Sequence, residues 1–264
     1  MLICLLAVPV CIFHEISFKF VTEKYFYLMT SCIFSSFLLS LVSYFISLKC
    51  PPDQLSTKGN TGNPVTDFYH GRQTNPVLTG CNLKLQSFRF SMIVLALLNV
   101  ALVLQSTIEQ KGNINLGVMV AASFQVLYAM DAMFHEEYYF NSVDYLSSGY
   151  GWCLISSYLT FPFLPSLITR YMVHLQPQVS MVTIVLAGVL NMVGYMIYRS
   201  AENQRCELAK NPASPDLAHL NTIEGPQGKR LIVGGWWSLV RHPNYLGEIL
   251  IQWSWVLPLG ITFL

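Results

Sequence analysis

An all-α, polytopic transmembrane helical protein of about seven spans is the fold class this sequence predicts. Three observations predict it. Of the 264 residues, 53% are hydrophobic and only 11% are charged, against about a quarter charged in an ordinary soluble domain. The mean hydropathy is +0.45. The apolar residues also gather into runs long enough to cross a bilayer, each crossing needing roughly 20 of them, with polar breaks rich in Pro, Gly and Asn between the runs.

The elements follow in order. Met1 to Phe13 is apolar but lacks a basic n-region and a small-residue cleavage site, so no signal peptide is expected. It is short for a crossing and reads as the remainder of a longer segment. Lys19, Glu23 and Lys24 mark a polar turn, and Tyr25 to Leu48 reads as a span. Lys49 to Ser87 reads as a long loop, broken by Pro51-Pro52, Gly59-Asn60 and Gly62-Asn63-Pro64. Phe88 to Thr107 spans again, and Glu109, Lys111 and Gly112 turn the chain. Leu116 to Phe140 begins apolar and ends polar, at Asp131, His135, Glu136 and Glu137. Tyr150 to Val173 is a span with a kink expected at Pro162 and Pro165. Val179 to Tyr198 is another, Arg199 to Arg230 reads as a hydrophilic loop, and Leu231 to Leu264 is apolar once more.

Loops assigned alternately put Lys49, Lys58, Arg72, Lys84, Arg199, Arg205, Lys210, Lys229 and Arg230 on one side, against Lys19, Lys24, Lys111 and Arg170 on the other. The positive-inside rule therefore places the loops 49–87 and 199–230 in the cytoplasm. Residues 1–264 read as a single membrane domain with no internal repeat. The net charge of +1 carries no basic tract, so no nucleic-acid contact is expected. The seven cysteines form no Cys-x-x-Cys pair and read as buried free thiols.

Several polar groups stand where the bilayer makes them costly. Asp131 and His135 are four apart and share a helix face. With no His-Glu-x-x-His motif they read as a helix end or a cavity lining, and no metal site is expected. Asp144, Gly149, Tyr150 and Gly151 read as a tight polar turn entering the next span, structural rather than chemical. Arg199, Gln204, Arg205 and Lys210 stand where a helix leaves the bilayer; the cations among them either snorkel to headgroups or grip phosphates. No Gly-x-Gly-x-x-Gly or Walker loop exists, so any nucleotide binds outside those folds.

The run from Trp236 to Glu248 is the densest in chemistry. Arg241, His242 and Pro243 stop a helix, and Asn244 and Tyr245 restart one toward Glu248. An irregular turn at membrane depth has to be buried in protein or line a cavity. Trp236 and Trp237 suit either an interfacial belt or a face for a planar ring.

Trp236-Trp237-Ser238-Leu239-Val240-Arg241-His242-Pro243-Asn244-Tyr245-Leu246-Gly247-Glu248 resembles the signature of the sterol reductases of the endoplasmic reticulum and nuclear membrane, and within them the sterol C14-reductase and lamin B receptor branch. Lys210-Asn211-Pro212 through Asp216-Leu217-Ala218-His219-Leu220 agrees with it. So do Asp67-Phe68, Gly71-Arg72, Asn75-Pro76, and Asp131-Ala132 with His135-Glu136-Glu137 and Asp144. The resemblance covers most of Gly62 to Gly260. A shorter Arg-His-Pro-x-Tyr-x-Gly is shared with membrane methyltransferases of the isoprenylcysteine type.

What the resemblance implies is an NADPH-dependent reduction of the sterol C14–C15 double bond by a multi-pass protein of the endoplasmic reticulum membrane, the inner nuclear membrane, or both. A protein acid protonates the alkene, and the nicotinamide delivers hydride to the resulting cation. Carried over residue by residue, the cofactor contacts are Arg205, Leu231, Trp236, Arg241, His242, Asn244 and Tyr245. Glu248 and Tyr245 are the candidate catalytic groups within this chain. The implied partners are a sterol and membrane lipids.

The chain also departs from the family pattern. Asn-x-Gln-Lys-x-x-Phe-Arg becomes Glu202-Asn203-Gln204-Arg205-Cys206-Glu207-Leu208-Ala209, which loses a basic residue at Ala209 and adds repulsion from Glu202 and Glu207. Val77, Asn82, Ser156-Ser157, Phe161 and Glu248 replace other family residues. The family continues past Leu264 with a tail that brings further cofactor contacts and the leading catalytic acid, so the chain reads as a fragment. A lamin-B-receptor-like membrane protein with a degenerate reductase domain is the alternative reading, and a membrane methyltransferase the third.

Overall fold

The computed structural model describes residues 19–78, 80–113, 115–140, 143–211, 214, 217, 220–224 and 230–260. Met1 to Phe13, Pro212, Asp216, His219, Lys229 and Leu264, on which sequence expectations fall, lie outside the described residues, as does the side chain of Asp144.

The described chain is helical and runs α1 (Lys19–Glu23), α2 (Tyr25–Ser47), α3 (Pro64–His70), α4 (Leu83–Glu109), α5 (Leu116–Phe134), α6 (Glu136–Phe140) and α7 (Val143–Ser147). There follow α8 (Trp152–Thr160), α9 (Phe163–Leu175), α10 (Met181–Lys210), α11 (Trp236–Leu239) and α12 (Pro243–Val256). Two short antiparallel hairpins interrupt it: β1 (Val77–Leu78) with β2 (Cys81–Asn82), and β3 (Thr222–Glu224) with β4 (Arg230–Ile232). Among the described residues, five segments are long and apolar enough to cross a membrane: Tyr25–Ser47, Leu83–Glu109, Leu116–Phe134, Trp152–Leu175 and Met181–Lys210. The final apolar run is not one rod. It is divided into β4, α11, α12 and a 3-10 turn at Leu257–Leu259.

The helix starts are encoded locally. Asn63, Asn82, Asn115 and Ser180 each turn a side-chain oxygen onto backbone N–H groups of the first turn of α3, α4, α5 and α10. Those N–H groups have no partner within the helix, which is why short polar residues are favoured there. Pro64 and Pro243 occupy first-turn positions of α3 and α12, where their missing N–H costs nothing.

Three boundaries differ from expectation. The helix expected from Phe88 begins at Leu83, because Asn82 caps it. The segment Leu116 to Phe140 is two helices separated at His135. The hydrophilic loop expected from Arg199 begins only after Lys210, since α10 runs unbroken for 30 residues. The polar residues of its last three turns pair with one another and with α6, so the helix continues past its apolar stretch.

The chain forms two compact units, Met1–His135 with Ser142–Gln176, and Glu136–Asn141 with Pro177–Leu264. In the first, α4, α5 and α9 enclose a buried amide network. Asn99 Nδ2 donates to Gln125 Oε1 at 2.9 Å, Thr169 Oγ1 donates to Asn99 Oδ1 at 2.6 Å, and Gln125 Nε2 donates to the Pro165 carbonyl at 3.0 Å. Polar groups in an apolar bundle persist when they satisfy one another across helices. The expected break falls between Thr160 and Phe163, and Tyr25 Oη donates to the Phe163 carbonyl just after it. Buried Lys84 donates to the carbonyls of Tyr145 and Ser148, tying the start of α4 to the turn after α7. The Gly149-Tyr150-Gly151 turn is structural, as its sequence suggests: a Cβ on Gly151 would lie 2.1 Å from the Gly71 nitrogen. Asp131 and His135 do share a face, with His135 Nδ1 3.0 Å from Asp131 Oδ1.

Candidate functional site

The second unit is built on α10 and α12, which approach closely where two glycines meet. A Cβ on Gly194 would sit 2.8 Å from the Gly247 carbonyl oxygen, and one on Gly247 would sit 2.5 Å from the Tyr198 nitrogen. Small residues at such crossings let backbones approach, which is how helices pack where lipid gives no hydrophobic drive. Further along the same faces, Asn191 Nδ2 donates to Ser254 Oγ at 2.8 Å.

This packing carries the Arg241–Glu248 run onto the polar end of α10. The β3–β4 hairpin pairs Leu231 with Ile223. Gly235, at φ +60, then turns the chain into α11. Val240 is extended, and Pro243 starts α12. The stop and restart expected at Arg241 to Tyr245 is therefore present, as a link between two helices.

The two parts are joined at Glu202, which is 6% exposed. Asn244 Nδ2 donates to its Oε1 at 2.9 Å. Arg205 donates to its Oε2 from Nη2 at 2.5 Å and from Nε at 3.1 Å. Arg205 Nη2 also donates to the Tyr138 carbonyl at 3.3 Å. The repulsion expected from Glu202 toward an anion is corrected by this geometry, since its charge is spent on Arg205 and the two neutralise each other. The signal available in the sequence was the i, i+3 spacing of Glu202 and Arg205. Asn244, 42 residues away, had no local signal.

The remaining candidates fall into two groups. Arg241, His242 and Tyr245 are exposed, Tyr245 at 54%. The His242 and Tyr245 rings lie 5.2 Å apart and 30° from parallel, forming a short aromatic ledge. Leu231 is 52% exposed on its strand. Trp236, Asn244 and Glu248 are half-buried, and Gln252 Nε2 donates to Glu248 Oε1 at 3.4 Å. Trp237 is half-buried with no hydrogen-bond partner at its Nε1 among the described residues.

A cavity of about 350 Å³ opens on the flank of α10, lined by Tyr138, Asn203, Gln204, Cys206, Glu207, Lys210 and Leu217. Lys210 Nζ donates to Glu137 Oε2 at 2.8 Å. Arg199 stacks over Tyr138 and Tyr198, its guanidinium carbon 5.2 Å and 5.4 Å from the ring centres. Burial first, then the neighbouring Cys206 and Glu137, raise the Tyr138 phenol above its ordinary range, so it stays a neutral donor. Gln204 Oε1 and Asn244 Oδ1 are buried acceptors with no partner among the described residues. No cluster of three or more His, Cys, Asp or Glu side chains suited to a metal occurs among the described residues.

A model of the ergosterol biosynthesis ERG4/ERG24 family matches residues 1–264. The chain is 35% identical over 232 residues to the delta(14)-sterol reductase TM7SF2 of Mus musculus, covering 87% of this chain and 55% of that one. It is 33% identical over 259 residues to the delta(14)-sterol reductase LBR of Gallus gallus, covering 97% and 41%. It is 28% identical over 269 residues to the delta(14)-sterol reductase erg24A of Aspergillus fumigatus, covering 92% and 53%. The chain thus spans about half the length of the curated relatives it matches.

Proposed function

The chain belongs to the ergosterol biosynthesis ERG4/ERG24 family, and from that premise we propose that it is part of an NADPH-dependent reductase of the sterol C14–C15 double bond. One observation carries the reading. The Trp236–Glu248 run is pinned to buried Glu202 through Asn244, and Arg241, His242 and Tyr245 remain exposed. A site built to receive a phosphorylated, ring-bearing ligand needs such an arrangement.

The residues present fit NADPH. Arg241 has no ion-pair partner among the described residues, so its guanidinium is open to a phosphate fork. The His242–Tyr245 ledge offers ring faces. Leu231 and Trp236 add apolar contact, and Arg205, already paired with Glu202, orders the site more than it adds free charge. When bound, NADPH supplies the hydride.

The chain's own task is then to exclude water and to hold a proton near the alkene. Tyr245 and Glu248 lie one turn apart on α12 and are the candidates in this chain for that role. The sterol would reach the site from the lipid, which favours a multi-pass protein of the endoplasmic reticulum or inner nuclear membrane.

The test is expression of the full-length protein in a strain lacking C14-reductase, with NADPH titrated into the purified protein. Restored C14 reduction and saturable NADPH binding are expected. Binding without reduction would favour a degenerate, lamin-B-receptor-like domain. Tighter binding of S-adenosylmethionine than of NADPH would replace the reading by a methyltransferase.

A further inference from the structure

We propose that Glu202 is the positioning residue of this site: it fixes the Arg241–Tyr245 turn through Asn244 and sets which way round that asparagine's amide lies. The argument starts from burial. A carboxylate 6% exposed persists only when its charge is paired and its oxygens are hydrogen-bonded. Both conditions are met by separate oxygens. Oε2 takes the two Arg205 donors, and Oε1 takes Asn244 Nδ2 at 2.9 Å.

A carboxylate accepts and cannot donate. The Asn244 amide is therefore held one way round, with Nδ2 toward Glu202 and Oδ1 turned from it. That Oδ1 is buried and has no partner among the described residues. The amide thus has one fixed orientation, and the turn that carries Arg241 and His242 just before it in the chain is held with it. A glutamine at position 202 leaves Arg205 without its charge partner, offers one acceptor where Arg205 and Asn244 together bring three donors, and can bond Asn244 only after that amide turns round.

The inference rests on the cofactor reading above only for the identity of the ligand, and the experiment separates the two. Full-length wild type, Glu202→Gln, Asn244→Asp, and the double variant are compared by hydrogen–deuterium exchange of the backbone amides from Arg241 to Glu248, without ligand. Glu202→Gln exchanges there about tenfold faster. Asn244→Asp does the same, by placing two carboxylates together. The double variant returns toward wild type, because the amide introduced at position 202 donates to the carboxylate introduced at position 244. Wild-type exchange in Glu202→Gln, or a double variant faster than either single one, overturns the proposal.

Exchange in the apolar part of α10, ahead of Gly194, reports whether each variant folds. If Glu202→Gln does not, Asn244→Ala keeps the Glu202–Arg205 pair and must still loosen the turn. NADPH is then titrated into the same proteins, with about tenfold weaker binding expected for Glu202→Gln and recovery in the double variant. Absence of NADPH binding in wild type would remove the cofactor reading, while the exchange result still decides the role of Glu202.

Discussion

Gly194 and Gly247 lie face to face where α10 crosses α12, with room for no side-chain atom on either: a Cβ at Gly247 would come within 2.5 Å of the Tyr198 nitrogen. That contact sets the register in which Asn244 meets Glu202, one and two turns further along the two helices.

Gly247→Ala must therefore separate the helices. A loss of about 1–3 kcal/mol is expected from overpacking a close contact, read as a lower midpoint of thermal unfolding in detergent. Gly188, on the same helix, has open space where a methyl group would stand, with no described atom within 4 Å. Gly188→Ala is expected to stay within about 0.5 kcal/mol of wild type. Equal losses in the two variants would remove the crossing as the cause.

The buried amides of the first unit make a second prediction. Asn99→Leu strands the hydroxyl of Thr169 and the amide oxygen of Gln125, and about 1–2 kcal/mol is expected to be lost. The triple change Asn99→Leu, Gln125→Leu, Thr169→Val leaves fewer unpaired groups and should cost less than the sum of the three single changes. Strict additivity in unfolding measurements would show that the three side chains do not act as a network.

Asp67 gives a pH dependence. Burial alone would push its carboxyl up, but hydrogen bonds from the Thr61 amide at 2.7 Å, the Thr61 hydroxyl at 2.8 Å and the Gly62 amide at 3.3 Å, with Arg72 nearby, outweigh it and hold the group below the usual carboxylate range. A depressed folded value means the stabilisation is present above the unfolded value of about 3.9 and is lost as pH falls through the folded one. Protection of the amides of residues 56–73 should fall in that acid window in wild type and be independent of pH there in Asp67→Asn. A rise of protection on acidification would reverse the sign and refute the assignment.

Arg241→Ala tests the cofactor reading at its most exposed cation. Loss of one charge-assisted phosphate contact should weaken NADPH binding by at least about tenfold, with a shallower dependence on salt. Unfolding should be unchanged, since the side chain is exposed. Identical titrations for variant and wild type would place the phosphates elsewhere.

The membrane class, the break at Pro162 and the turn at Pro243 were legible because composition and proline act locally. The end of α10 was not. Arg199, Glu202, Arg205 and Lys210 read as a loop by polarity, yet their charges are taken up by Tyr138, by one another and by Glu137, so the helix has no reason to stop. Glu202 shows the limit most sharply. Its i, i+3 partner is visible in a helical reading, whereas Asn244 becomes a neighbour only after two glycines have brought two helices together. Hydrophobic periodicity reports the faces of a helix and is silent on which distant residue a face will meet.

The length of α10 has one more consequence. Thirty residues make a rod of about 45 Å against a hydrocarbon layer of about 30 Å. Gly194 lies in its apolar stretch, while Glu202 stands about 12 Å further along the axis, among its charged turns. The helix is a depth gauge. One continuous element therefore carries both the apolar crossing with α12 and, about two turns on, the charged pair of Glu202 and Arg205.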